Sequence, residues 1–372
     1  MIYFDNAATT GKKPNTVINA VMKALRKNCA NPGRSGHSLS LETATEIYKV
    51  RSKIADFFGC EEAENVAFTS NCTHSLNCVI KGVLRPGDHV VVSTLEHNAV
   101  MRPLAKINAN YDFAEVSLVD DDITLRNFAK KIKKDTKMVI CTAASNVLGK
   151  KLPLEKIGAF CKSKNICFTV DAAQLAGIEE INMQKMNIDF LCIAPHKGLY
   201  APMGIGVLLA RKPIFNSLIE GGTGSSSISF AQPDTMPERI ESGTINVPSI
   251  LGIGAGIDFV NSIGVERIAK HENRICKKIF DGLSKNPNVK LYVPFSPELY
   301  APVIPFNFRD YHSEKTALEL NKKNIAVRAG LHCAPTAHKY IGTLDRGAVR
   351  ISPSVFNSEY EADRFLDIIN KL

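Results

Sequence analysis

The residues best suited to chemistry sit where short apolar runs end. In "CIAPHKGLYAPMGIGVLLA", Lys197 follows one such run and precedes a Gly/Pro-rich turn. At a strand end its amine can face a crevice, where a desolvated lysine forms a Schiff base with a carbonyl. A solvated loop lysine has the same local pattern. In "ICFTVDAAQLAG", Asp171 closes a fully apolar run and Gln174 follows three residues on. A carboxylate there needs a partner, because an unpaired buried charge is costly; a protonated ring nitrogen is one candidate partner, and a helix N-cap role fits as well. "FTSNCTHSLN" turns from an apolar run into a helix through Cys72 and Thr73. Backbone N–H groups and a hydroxyl at such a turn suit a phosphate, or simply cap the helix. His97 in "STLEHNAV" and Asn146 in "ASNVLGKKLP" follow two further runs. Cys333, in "VRAGLHCAPTAHKYIGT", lies among glycine, histidine and proline without an apolar period. Nucleophile, metal ligand and small apolar filler are all open for it on local grounds.

These positions imply the elements that must hold them. "NVAFTS", "HVVVST", "FAEVSL", "KMVICTA", "ICFTVD", "DFLCIA" and "IGVLLA" read as buried strands. Helical patterns lie between them at Thr73–Lys81, Asn98–Asn108, Thr124–Lys134 and Leu154–Lys164. Such alternation implies βαβ crossovers and a mostly parallel sheet, with ligands bound beyond the strand ends. An amphipathic helix over Leu39–Phe58, closed by Gly59, precedes this block. A Gly/Ser/Pro-rich stretch over 219–244 reads as a long functional loop. A helix pair at Ser249–Ser262 and Val265–Asn286 comes next. Strands "VKLYVP", "APVIPFNF", "IAVRA" and "GAVRIS", a helix at Ser313–Asn324 and a last helix from Ser358 suggest a separate α+β lobe.

Taken together, five strand ends supply a phosphate cradle, an imidazole, an amide, an acid with a glutamine, and a lysine. Pyridoxal 5'-phosphate needs that set: a lysine for its aldehyde, a carboxylate for its pyridine nitrogen, donors for its phosphate. With these residues in view the chain resembles the cysteine desulfurases, in the class V aminotransferase group of pyridoxal-phosphate enzymes. The resemblance runs from "YFDNAATT" to "VRISPSVFNSEYEADRF" and is carried by "LEHNAV", "VDAAQLAG", "HKGLYAPMGIGVL", "ESGTINVPSI" and "RAGLHCAP". The short span from Cys333 to Arg350 is closest to the members with a short cysteine loop.

The resemblance implies an α/β fold of pyridoxal-phosphate fold type I. A large domain over 15–250 carries a mostly parallel seven-stranded sheet, and residues 1–14 and 251–372 form a smaller α+β domain bearing the cysteine loop. It implies that Lys197 holds the cofactor covalently and moves protons, that Asp171 pairs with the pyridine nitrogen, and that His97 stacks on the ring and serves proton transfer. Gln174 meets the ring oxygen, and Asn146 lies near the substrate carboxylate and the ring. Cys72, Thr73, His196 and Thr244 hold the phosphate, Thr244 coming from a second subunit, which implies a homodimer. Arg350 clamps the substrate carboxylate. The reaction converts L-cysteine to L-alanine, with a persulfide formed on Cys333 and passed to an acceptor protein or small thiol. A thiolate nucleophile needs cationic or histidine neighbours, for which His332, Arg328 and Arg350 are candidates. Selenocysteine lyase, another class V aminotransferase or lyase, and a non-enzymatic scaffold of the same fold are the alternatives. Three departures stand out: Ala194 where the family usually has a hydroxyl, His74 where it often has an acid, and Leu331 where a short-loop member often has a second histidine.

Composition narrows the field further. The net charge is +9, with lysines scattered over helical faces and no aromatic interleaving, so no nucleic-acid partner is expected. No apolar run is long enough for a membrane span. Ten cysteines without a CxxC pair or a signal-like N-terminus suggest a reducing, cytoplasmic setting and no metal site. "GIGAGID" at Gly252–Asp258 has dinucleotide-like glycine spacing, but no strand precedes it, so helix packing is the expectation.

Overall fold

The computed structural model describes residues 1–372 except Cys29, Arg34 and Ser226. A two-residue strand, β1 (Ile2–Tyr3), opens the chain, followed by α1 (Asn15–Lys27) and α2 (Ser38–Phe58). In α2 the buried residues Thr43, Ile47, Val50, Ile54 and Phe58 recur at three- and four-residue spacing, which lays one face on the core. Gly59 ends the helix with φ 62°, a left-handed cap that a side chain would strain.

The central sheet is built from β2 (Val66–Thr69), β3 (His89–Ser93), β4 (Asn110–Ala114), β5 (Thr136–Thr142), β6 (Cys167–Asp171), β7 (Phe190–Ile193) and β8 (Gly206–Ala210). Its seven strands run in the order β2-β8-β7-β6-β5-β3-β4. Neighbours pair in parallel except β8, which is antiparallel to both β2 and β7. Helices α3 (Cys72–Val83), α4 (Asn98–Lys106), α5 (Asp121–Lys131) and α6 (Leu154–Ser163) provide the crossovers. Six of the expected strands appear within a residue or two of their apolar runs. The exception is "FAEVSL": the paired residues are 110–114, and Val116 and Leu118 pack into the core from the loop beyond. This edge strand begins with exposed Asn110 and Tyr111, so its first half carries no apolar signal.

α7 (Val247–Ile263) packs on α1 and α2, and the expected boundary at 250/251 falls within it. The glycines of "GIGAGID" lie inside α7 and let it approach α2 and the connection between β7 and β8 closely: a Cβ at Gly256 would lie 2.0 Å from the Leu199 carbonyl oxygen. α8 (Val265–Leu283) follows at 78°. No single helix among the described residues is long and apolar enough to cross a membrane.

The remaining elements are β9 (Val289–Leu291), β10 (Ile304–Phe308), α9 (Ser313–Lys322), β11 (Ile325–Ala326), β12 (Arg328–Gly330), α10 (Pro335–Tyr340), β13 (Ala348–Ile351) and α11 (Glu359–Ile369). β12-β13-β10-β9 form an antiparallel sheet, while β1 pairs in parallel with β11. The single expected strand "IAVRA" is thus split at Val327 between two partners. α10, just past the cysteine, has no expected counterpart, because its six residues are too few to show a period. A core of Phe4, Ile279, Phe306, Phe308, Val349 and Phe365 joins the N-terminal strand to this lobe.

Candidate active site

The strand ends converge as the alternating pattern requires. Asn71, Cys72, Thr73, His97, Asn146, Asp171, Gln174, Ala194, His196 and Lys197 line one cleft with about 540 Å³ of atom-free space, a size suited to a small cofactor. At its floor lies Asp171, the last residue of β6. Its Oδ1 accepts the Ala173 N–H at 3.0 Å and the Cys72 thiol at 3.5 Å. Burial, reinforced by the Asp171 charge, pushes the Cys72 thiol well up, so it is a neutral donor there.

Lys197 follows β7 in a tight turn whose N–H returns to the Ala194 carbonyl at 3.1 Å. Its Nζ makes no hydrogen bond or ion pair among the described residues. Desolvation lowers its pKa, with Asp171 pulling the other way and Arg350 adding to the fall. A lysine so placed holds less charge and more nucleophilic amine than a solvated one. The preceding residue is fixed by the N-terminal motif. The His196 carbonyl accepts the Thr10 N–H at 3.2 Å, the Thr10 hydroxyl at 3.0 Å and Lys13 Nζ at 2.9 Å. Burial lowers Lys13 to about 8 and His196 to about 4, so the His196 imidazole is neutral. His196 Nδ1 is buried without a partner.

At the N-terminus of α3 the Asn71 side chain accepts the His74 N–H at 2.9 Å. The amides of Cys72 and Thr73, in the first helical turn, have no acceptor among the described residues. His74 turns back to accept the Ser70 N–H at 3.3 Å. Buried Ala194 presents only a methyl to the cleft.

His97 caps α4, its Nδ1 accepting the Ala99 N–H at 3.0 Å. That bond places the proton of the neutral ring on Nε2. Burial lowers the pKa of His97, Asp171 raises it, and Lys197 and Arg102 lower it further. Just behind it, Glu96 is fully buried. It accepts the Thr142 N–H at 2.9 Å and the Ser93 hydroxyl, and burial pushes it up to about 8.

Gln174 Nε2 donates to the Ala7 carbonyl at 3.1 Å. Asn146 Nδ2 donates to the His332 carbonyl at 2.7 Å, and Asn146 in turn offers its carbonyl to Arg350 Nη1 at 2.8 Å. Arg350, on β13, also pairs through Nη2 with Asp5 Oδ1 at 2.8 Å. Its Nε is buried and unpartnered.

Cys333 is the exposed thiol of the nine described cysteines; the other eight are buried. Cys29 lies outside the described residues. His332 and Cys333 both adopt left-handed backbone, φ 50° and 56°, an uncommon pair for side-chain-bearing residues. The strain is held by bonds from the large lobe: Asn146 on the His332 carbonyl and the Asn98 N–H on the Cys333 carbonyl at 2.8 Å. Beneath the turn, His332 stacks on His338 with rings 3° from parallel. His332 Nδ1 and His338 Nε2 share a hydrogen bond of 3.1 Å, and His338 Nδ1 meets the Thr343 hydroxyl at 2.7 Å. Burial, then Arg350, drives His332 far below the usual imidazole range. It is therefore not a cationic neighbour of the thiol.

Thr244 is exposed and lies outside the Lys197 cleft. Among the residues of the assembled site, Asp5, Lys13, Glu96, Asn98, His338 and Thr343 carried no assignment in the sequence. Asp5 lies inside the quoted N-terminal motif, but its partner is 345 residues away. His338 follows Cys333 closely, but "TAHK" is common helix-end composition. Among the described residues no cluster of side chains suits a metal ion.

A model of the class-V aminotransferases matches residues 2–365. The chain therefore belongs to that family of enzymes, whose members generally depend on pyridoxal phosphate. Within it, it falls among the cysteine desulfurases. It is 34% identical to a probable cysteine desulfurase of Pyrococcus abyssi, covering 100% of this chain and 94% of that one. It is 30% identical to a cysteine desulfurase of Serratia proteamaculans, covering 98% and 92%. The apo structure of a cysteine desulfurase from Thermococcus onnurineus NA1 superimposes with a TM-score of 0.91 at 34% identity, over 100% and 94% of the chains.

Proposed function

We propose that this chain converts L-cysteine to L-alanine and collects the sulfur on Cys333 as a persulfide. The observation that carries the reading is the placement of the one exposed described thiol. Asn98 and Asn146 pin the Cys333 turn from the loops that also carry His97 and line the Lys197 cleft.

The cleft fits pyridoxal phosphate on its own donors. An unpaired Lys197 amine faces a buried Asp171 carboxylate, and the open α3 amides and an orphaned His196 nitrogen lie at its phosphate end. Lys197 would hold the group covalently, Asp171 its pyridine nitrogen, Gln174 its ring oxygen, and Cys72, Thr73 and His196 its phosphate. His97 would lie on the ring face. When bound, the group supplies the electron sink that weakens bonds at the substrate's Cα and Cβ. Lys197, its pKa lowered by desolvation, is the base for the substrate Cα proton. The Nε2–H of His97 is a proton donor at the ring face. Arg350 clamps the substrate carboxylate, exchanging its Asp5 partner for a substrate oxygen. The Cys333 thiolate attacks the substrate sulfur; the Cβ–S pair leaves with carbon and is protonated to give alanine.

We also infer a homodimer in which Thr244 serves the neighbouring site. Phe215, Ile219, Ile228 and Phe230 stand exposed on the loop leading to Thr244, a grouping that a second copy can cover.

The test is the purified protein with pyridoxal phosphate, L-cysteine and dithiothreitol. Equal amounts of sulfide and alanine support the reading. An oxo acid that keeps its sulfur, with no sulfide released, assigns an aminotransferase instead, and pyruvate with ammonia and sulfide assigns a β-eliminating lyase. Turnover of selenocysteine alone, surviving loss of Cys333, assigns a selenocysteine lyase.

A further inference from the structure

Beside the Lys197 cleft lies a second one, with about 660 Å³ of atom-free space, that opens on Cys333. Thr73, His97 and Ala99 form the shared wall. Its other walls are α3 and α4, which contribute Lys81, Arg102 and Lys106. Arg102 and Lys106 stand four residues apart on one exposed helix face, where like charges repel. None of the three makes an ion pair or hydrogen bond among the described residues. Elsewhere exposed cations do find partners, as Lys49 does with Glu46, Lys156 with Asp122 and Lys277 with Asp281. No aspartate or glutamate lines this cleft.

Resting on the desulfurase reading above, we infer that this cleft receives an acidic segment of the sulfur-acceptor protein and so brings the acceptor thiol to Cys333. Three unneutralised cations around a nucleophilic sulfur favour an anionic visitor and repel a basic one. The transfer itself balances without a further reagent. The acceptor thiolate attacks the outer sulfur of the Cys333 persulfide. A new S–S bond forms on the acceptor, the S–S bond to Cys333 breaks, and its electron pair leaves as the Cys333 thiolate.

The test uses two synthetic peptides, each with one cysteine, flanked by glutamates in one and by lysines in the other. Each rate is normalised to that peptide's rate with free glutathione persulfide. The holoenzyme is compared with a Lys81→Glu/Arg102→Glu/Lys106→Glu variant and with a control reversed at exposed Lys130, Lys162 and Lys323. At low ionic strength the wild type should transfer sulfur about tenfold faster to the acidic peptide. The gap should close near 1 M salt, where screening acts within about 3 Å. The cleft variant should lose or invert the preference while the control keeps it. Both should retain measurable turnover with dithiothreitol, and the two peptides are compared within each variant because Arg102 also lowers the His97 pKa. Equal normalised rates for the two peptides, with that turnover intact, overturn the inference. So does a changed oligomeric state of the cleft variant with unchanged peptide preference, since the cleft is then a contact between copies. Absence of dithiothreitol-driven turnover in the wild type removes the desulfurase reading and this inference together.

Discussion

The Lys197 cleft and the Cys333 turn lie side by side but are built in opposite ways. The cleft is assembled from ends of buried parallel strands, so each residue is placed by its own strand and tuned by loss of water. Lys197, His97 and His196 are all pushed toward their neutral forms by burial. The cysteine turn is exposed, and its two left-handed residues are held by bonds from residues distant in the chain. Desolvation sets the chemistry of the first region; borrowed hydrogen bonds set the geometry of the second. Defects in the cleft should therefore change proton chemistry, and defects around the turn should change where sulfur goes.

The largest effect is expected for Lys197→Ala, which removes the Cα base. Alanine formation should fall by about a thousandfold, read by amino-acid analysis of the reaction. Cys333→Ala should abolish protein-bound persulfide, read by intact mass after L-cysteine. If that variant still forms persulfide at the wild-type rate, the contrast between the two regions fails. Asp5→Ala leaves Arg350 buried with one fewer partner. It should cost about 3 kcal/mol of stability in denaturant unfolding, since an uncompensated buried charge is left behind.

His338→Ala should leave the His332 imidazole without its Nδ1 partner and loosen the turn. Persulfide formation should slow by about tenfold, in line with one lost buried hydrogen bond. His338→Gln, which can still bond, should recover part of that loss, whereas a purely volumetric role would not distinguish the two. The smallest effect concerns Glu96. Burial raises it from about 4.5 to about 8, so its protonated form is favoured in the fold. That contribution is full below the lower value and is lost as pH rises through about 8. Glu96→Gln should therefore melt a few degrees above wild type at pH 9 and close to it at pH 5, by calorimetry.

The two regions also differ in how far the sequence revealed them. Lys197, Asp171, Cys72 and His97 could be read because each ends or follows an apolar run of its own. Strand-end placement then brings them together whatever the chain does between. Nothing periodic marks the turn. Its supports come from Asn98 and Asn146, and the Arg350–Asp5 pair closes across 345 residues. His332 looked like a source of positive charge for the thiol. The structure buries it beside Arg350 and makes it neutral, which composition could not show. β4 slipped for a related reason: an edge strand needs no apolar face on its exposed end.

The Cys333 turn has one further consequence. Three successive carbonyls are already occupied: Leu331 by the Ala334 N–H at 2.9 Å, His332 by Asn146 at 2.7 Å and Cys333 by the Asn98 N–H at 2.8 Å. With these carbonyls engaged and His332 and Cys333 in left-handed backbone, the turn offers no extended edge to which a visiting chain could add itself as a strand. Recognition has to run through the surrounding side chains. Partner choice is thus separable from sulfur placement, so surface substitutions can redirect delivery to a new recipient while the thiol stays where it is.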